Sequence, residues 1–274
     1  MKLISFSAID KVVRPGALLE NNTVVDLSSF YSDALRVISA GLHGAPSGNP
    51  VPLDSVRLHA PLASPPRVFA IGLNYRDHAK ESGMAIPTTP VVFFKLPTAI
   101  IGPGENIVLP KNSTEPDYEA EFAFVIGKGG YRIPASAWRE HVYGYTIVND
   151  VSARDVQFAT SQWSLSKSFP TFCPLGPAIV TADEIADPHN LHVELTIDGV
   201  VHQSSNTREL IFKIPELIEY LSSITPLLPG DIVSTGTPFG VGLGRTPKRW
   251  LKPGESVTIT IEGLGSLTNP VVAE

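Results

Sequence analysis

Two carboxylates, Glu119 and Glu121, are the residues in this chain whose types and spacing point most directly to chemistry. They open a run in which Glu119, Glu121, Ala123 and Val125 alternate with Ala120, Phe122, Phe124 and Ile126. Period two is strand spacing, and it sets one wholly apolar face against a face carrying both carboxylates. Side chains two apart on a strand stand about 7 Å apart, and like charges there repel. No Lys or Arg lies between them. A hard divalent cation would offset the repulsion and use oxygens from both groups. A solvated strand face is the other reading this stretch leaves open.

Further candidates lie on either side. Residues 142–150 read as a strand ending in Asp150, which is placed to be a third oxygen ligand or to cap the next helix. In the helical turn that follows, Arg154 and Gln157 are three apart and share a face. Arg154 could clamp a carboxylate in a bidentate fork, or pair with Asp155 or Glu140. Lys167 stands alone among Ser and aromatic residues, where exposure is the default. Upstream, His78 and Glu81 are three apart on a short helix that Asn74 or Asp77 could cap and Gly83 could end. A carboxylate beside an imidazole orients it and raises its basicity, as a general base requires. An ordinary exposed pair has the same spacing. The polar stretch from residue 77 to Pro90 could act as a lid. The Gly-rich run 236–244 is not a phosphate loop, because no helix follows and no Lys-Ser/Thr ending is present. It fits the lining of a small-molecule site, with Thr237 as a hydroxyl donor.

The elements that must position these groups are mostly short strands, punctuated by 25 Pro and 22 Gly. Residues 67–72 and 91–95 read as apolar strands, the second buried and ending in Lys95. Residues 106–109, 142–150, 232–235 and 257–262 read as further strands. Residues 191–202 form a hairpin turning at Asp198-Gly199, with His192 and His202 on its polar face. Residues 214–223 read as an amphipathic helix, with Pro215 in its first turn and Leu217, Ile218 and Leu221 facing the core. The first 60 or so residues look like a small module ending at the rigid Ser64-Pro65-Pro66. That divides the chain into domains 1–64 and 65–274. His43 and His59 read as surface or turn histidines.

With 274 residues, 18% charged and 43% apolar, the composition is that of a globular protein able to bury a full core. The net charge of −6 and the lack of a basic stripe argue against nucleic acid. A single cysteine, Cys173, leaves no internal disulfide and fits a reducing compartment. No apolar run reaches membrane-spanning length, and residues 1–10 lack the long apolar core of a signal peptide. A cytoplasmic protein is the expectation.

Four stretches taken together resemble the fumarylacetoacetate hydrolase family: Gly-Leu-Asn-Tyr-Arg-Asp-His-Ala-Lys-Glu (72–81), Asp-Tyr-Glu-Ala-Glu (117–121), Asn-Asp-Val-Ser-Ala-Arg-Asp-Val-Gln (149–157) and Ser-Thr-Gly-Thr-Pro-Phe-Gly-Val-Gly (234–242). Their order and spacing agree over roughly residues 65–270. The resemblance implies an α+β, mainly β fold: a mixed β-roll catalytic domain, here with a small N-terminal domain, and a homodimer. It implies Mg²⁺ or Mn²⁺ on Glu119, Glu121 and Asp150, a catalytic dyad of His78 and Glu81, an active-site Lys167, and substrate contacts from Arg154, Gln157 and Thr237. One departure is Val151, where many members carry Trp or another bulky residue. The activity implied is metal-dependent hydrolysis of a C–C bond in a 2,4-diketo acid such as an acylpyruvate, releasing pyruvate. On the same metal site, oxaloacetate decarboxylation and the isomerisation or hydration of 2-oxo-dienoates are the alternatives. In each case the expected partner is a small 2-oxo acid.

Overall fold

The computed structural model describes residues 1–81, 83 and 85–274. The acidic run forms the strand Ala120–Ile126, and all seven of its residues are buried. It lies inside a sheet, antiparallel to Val142–Asn149 on one side and to Ile232–Ser234 on the other. Both faces are therefore covered, which explains the nearly unbroken apolar run after Glu121. Phe122, Phe124 and Ile126 pack into a core shared with Val193, Leu195, Val257, Ile259 and Leu267. Ala123 and Val125 point the other way, into a core with Leu3, Val25, Ile179 and Ile232. The solvated strand face is excluded: Glu119 is 4% exposed and Glu121 1%.

The main sheet runs from Val51–Pro52 through Thr23–Asp26, Arg14–Leu18, Lys2–Ser7, Cys173–Thr181, Val142–Asn149, Ala120–Ile126, Ile232–Ser234 and Val68–Gly72 to Val91–Lys95. Most neighbours are antiparallel, but Ile232–Ser234 and Val68–Gly72 are parallel, so the sheet is mixed. A second sheet has the order Val200–Asn206, His192–Ile197, Ser256–Ile261, Gly265–Ala273, Ile107–Leu109. Its apolar side closes over the core beneath the acidic strand. The N-terminal strands continue the main sheet, with Lys2 opposite Val180. The helix Ile214–Ile224 buries Ile214, Leu217, Ile218 and Leu221, as its 3.6-residue pattern demands. No helix among the described residues is long and apolar enough to cross a membrane.

Two local readings are corrected. Val91–Lys95 is not buried throughout. It is the edge of the main sheet, with Val91 40% and Phe94 44% exposed, while Lys95 is wholly inside. Its apolar run comes from one face on the core and one on the rim, a pattern that a buried strand shares. His202 does not sit on an open polar face: its Nδ1 is 3.2 Å from the Tyr118 hydroxyl, and burial and the nearby Arg249 and Arg245 push its pKa down to about 4.

Candidate active site

The strand Ala120–Ile126 and its neighbour Val142–Asn149 end together, so that Glu119, Glu121 and Asp150 meet at one end of the main sheet. Each offers a carboxylate oxygen within 4.8 Å of the others, and all three are buried. Three hard oxygen donors this close are the donor set that hard divalent cations favour. The electrostatics agree. Burial, together with the charges of Asp150 and Glu119, pushes Glu121 up to about 8. Its charged form calls for a cation that offsets those neighbours. The residues present thus fit a divalent ion.

Three side-chain cations share these carboxylates. Lys167 Nζ donates to Glu119 Oε2 at 2.5 Å and to Asp150 Oδ2 at 2.7 Å. Arg154 donates to Glu119 Oε1 at 2.5 Å, to Asp117 Oδ2 at 2.9 Å and to Gln157 Oε1 at 2.8 Å. Lys95 Nζ donates to Asp150 Oδ1 at 2.5 Å and to the Lys167 carbonyl at 2.5 Å. Burial disfavours the charge on Glu119, but Arg154 and Lys167 outweigh it and hold the carboxyl well below the usual range. Burial likewise works against the Lys167 ammonium, and Asp150 and Glu119 overcome it and raise its pKa. Glu121 is held differently, by Ser234 Oγ at 2.6 Å and the Gly236 amide at 3.0 Å.

The second group of residues comes from the segment after Val68–Gly72. Asn74 is fully buried and latches this segment to the core rather than capping the helix. Its Oδ1 accepts from the Phe212 amide, and its Nδ2 donates to the carbonyls of Phe212 and Thr235. The helix Arg76–Glu81 then carries His78 Nδ1 to 3.2 Å from Glu81 Oε2. Glu81 is fixed from behind by the Gly240 amide, 3.1 Å from Oε1. The Gly-rich run lines the same cavity as His78 and Glu81, through Thr237, Val241, Leu243 and Gly244, and it also braces that pair. Its Thr237 accepts from Gln203 Nε2 at 2.8 Å, which leaves the hydroxyl proton for another acceptor.

All nine residues singled out from the sequence line one cavity of about 650 Å³. Its lining combines the carboxylate cluster with Ile71, Phe93, Phe158 and Trp163. Phe93 sits beneath Lys167, whose Nζ lies 5.0 Å from the ring centre. The Glu119 end of the Arg154 fork is already occupied, as are its other two nitrogens, and Asp155 turns away to bind Ser113 and Thr114. In this arrangement Arg154 holds the acidic cluster together. Phe239 does not line the cavity; it is 42% exposed. Residues 82 and 84 of the expected lid lie outside the described residues.

Sequence reasoning missed Lys95 and Asp117. Asp117 was visible in principle, because it continues the period-two series 117, 119, 121 backwards. Lys95 carried a weaker signal, a lysine ending an apolar strand.

The chain matches the family model described as fumarylacetoacetate (FAA) hydrolase C-terminal over residues 67–272. It is 48% identical over 224 residues to a Bos taurus protein named oxaloacetate tautomerase FAHD2A, mitochondrial, covering 81% of this chain and 71% of that one. It is 46% identical to the Xenopus laevis oxaloacetate tautomerase fahd2, mitochondrial, covering 99% of this chain and 90% of the relative. Among solved structures, the fumarylacetoacetate hydrolase of Exiguobacterium antarcticum superposes with a TM-score of 0.90 at 35% identity, with both chains fully covered. The 5-carboxymethyl-2-hydroxymuconate delta-isomerase of Mycobacterium smegmatis gives 0.84 at 38% identity, covering 100% of this chain and 99% of the other. With its fold, its acidic cluster and its sequence in agreement, this chain belongs to the fumarylacetoacetate hydrolase family of enzymes.

Proposed function

We propose that this enzyme interconverts the keto and enol forms of a 2-oxo acid of the oxaloacetate class. The observation that carries the reading is the placement of the His78–Glu81 pair in the same cavity as the three carboxylates. Enolisation needs a base at C3, charge stabilisation at the C2 oxygen and a proton for that oxygen. A Mg²⁺ or Mn²⁺ ion held by Glu119, Glu121 and Asp150 would supply Lewis-acid stabilisation of negative charge at the 2-oxo group. His78, oriented by Glu81, takes the C3 proton in one direction and returns it in the other. Lys167 gives two of its three protons to Glu119 and Asp150 and keeps the third for the developing oxyanion. Gln157 and Thr237 position the substrate's polar end. Electrons move from the C3–H bond into C2–C3 and onto oxygen, which takes a proton from solvent to complete the enol while His78 releases the C3 proton to solvent; no carbon–oxygen bond to water forms and no fragment leaves. The names of the relatives support this reading.

Hydrolysis of an acylpyruvate is the second reading. It is favoured by the cavity, whose 650 Å³ leaves room beyond a four-carbon acid. There the same His78 would deprotonate water for attack at C4. Decarboxylation of oxaloacetate would release pyruvate as well. Product analysis with Mg²⁺ and with chelator separates the three. Metal-dependent equilibration of oxaloacetate tautomers without pyruvate is the expected result. Pyruvate from an acylpyruvate would replace it with the hydrolase reading, and rapid pyruvate from oxaloacetate with the decarboxylase reading.

A homodimer belongs to the same proposal. The exposed Phe94, Leu96 and Leu165 support it, and sedimentation velocity tests it. A reducing compartment such as the cytoplasm is supported by the single buried cysteine; the relatives' names place those proteins in mitochondria.

A further inference from the structure

The cavity has a charge arrangement that enolisation alone does not use. Beside the carboxylate cluster each lining cation has its carboxylate partners: Lys167 has Glu119 and Asp150, Arg154 has Asp117 and Glu119. The segment after Gly242–Gly244 also lines the cavity, with Arg245, Thr246, Pro247 and Lys248. Lys248 is exposed and has no carboxylate partner among the described residues. Its Nζ lies 5.7 Å from the Trp250 ring centre, a contact that gives the ammonium a preferred site without neutralising it. Arg245 is anchored through Nε and one terminal nitrogen to the Tyr118 hydroxyl and to the carbonyls of Gly240 and His202. It too lacks a carboxylate among the described residues. Ile71, Phe93, Trp163 and Leu243 add largely apolar lining to the same cavity.

A carboxylate cluster that accepts a cation, apolar lining and two unneutralised cations, Lys248 exposed at the rim, match a molecule with charge at both ends and carbon between. We propose that Lys248, backed by Arg245, receives the second carboxylate of a 2-oxo dicarboxylic acid and so selects diacids over monoacids. This rests on the reading that the acidic end binds the 2-oxo acid head. Lys248 is the residue that touches the distal carboxylate. Arg245 fixes the rim through Tyr118 and His202 and adds its charge. Because the cavity has room beyond a four-carbon acid, the length of the carbon chain between the two carboxylates is itself part of the selection.

The test uses unreactive ligands, so that binding is read independently of turnover. The Mg²⁺-loaded full chain is titrated calorimetrically with 2-hydroxy diacids of four to seven carbons and with 2-hydroxy monoacids of the same lengths. At the best-bound length the diacid should win by about tenfold or more, the usual scale for a charge-assisted hydrogen bond at a partly open site. Lys248→Gln should erase most of that preference while leaving monoacid affinity and Mg²⁺ affinity within about twofold. Lys248→Glu should reverse it, and Lys248→Arg should keep it. Equal binding of diacids and monoacids by the wild type, binding of neither, or a preference that survives Lys248→Gln would each overturn the proposal. If diacid preference behaves as expected but no tautomerisation is found, the proposed reaction fails and the carboxylate site stands.

Discussion

Lys95 Nζ lies 2.5 Å from Asp150 Oδ1, and both side chains are wholly shielded from solvent. The same ammonium also binds the Lys167 carbonyl, so one buried cation fixes a carboxylate of the acidic cluster and the backbone of the lysine beside it. Replacing it with Met keeps the volume but leaves Asp150 with Lys167 as its one cationic partner among the described residues. Breaking one side of a buried ion pair costs about 3–5 kcal/mol. With Lys167 still paired to Asp150, Lys95→Met should be destabilised by less than that, by about 1–3 kcal/mol in chelator, and Mg²⁺ should recover part of the loss. Urea denaturation with and without Mg²⁺ measures both. A variant as stable as the wild type in chelator would show that Asp150 does not depend on Lys95.

The dyad should be separable from the metal site. His78→Asn should bind Mg²⁺ as the wild type does and lose about 10²–10⁴ in kcat, the usual contribution of a general base. Glu81→Gln should act in the same direction more weakly, since the Gly240 amide still holds the side chain. Turnover that survives His78→Asn would remove this residue from the proton transfer.

Gly244 offers a second, geometric probe of the same pair. A Cβ there would stand 2.5 Å from the Glu81 carboxyl carbon, so the carboxylate must move. Gly244→Ala should lower kcat by about tenfold while sparing Mg²⁺ affinity, because misplacing a catalytic group by a fraction of an ångström is costly. Unchanged kcat would mean that the exact seat of Glu81 is unimportant.

The pH dependence follows from Glu121. Its carboxyl is raised from 4.5 to about 8 in the folded protein without metal. Between those values the folded state binds more protons than the unfolded one, so stability in chelator is present at low pH and falls as pH rises through about 8. Mg²⁺ needs the deprotonated form, so binding should release protons and strengthen with pH over the same interval. Thermal melts across this range should slope downward in chelator and flatten with Mg²⁺. A flat profile in chelator would contradict the raised Glu121.

How much of this was legible in the sequence depended on the range of the interaction. Glu119 and Glu121 declared a shared face because strand periodicity is local, and His78 and Glu81 declared a shared turn for the same reason. Asp150 was readable as the end of an apolar strand. What could not be read was who pairs with whom. Arg154 was weighed against Asp155 and Glu140, its neighbours in sequence, but it binds Asp117 and Glu119, which the antiparallel pairing of Pro116–Asp117 with Ser152–Ala153 brings alongside. Lys167 looked like a surface residue because the carboxylates that bury it lie 17 and 48 residues away. The run Val91–Lys95 reads as a buried strand because an apolar run does not say whether a second neighbour will pair with it.

The measurement that bears most directly on the proposed reaction is the decay of enol absorbance after oxaloacetate enol is mixed with the Mg²⁺-loaded protein. Wild type should accelerate the decay well beyond the buffer rate. The acceleration should vanish in chelator and in Glu121→Gln, and fall steeply in His78→Asn. A decay no faster than buffer, from a protein that binds Mg²⁺ and releases pyruvate from an acylpyruvate, would contradict the tautomerase reading and return the cavity to C–C hydrolysis.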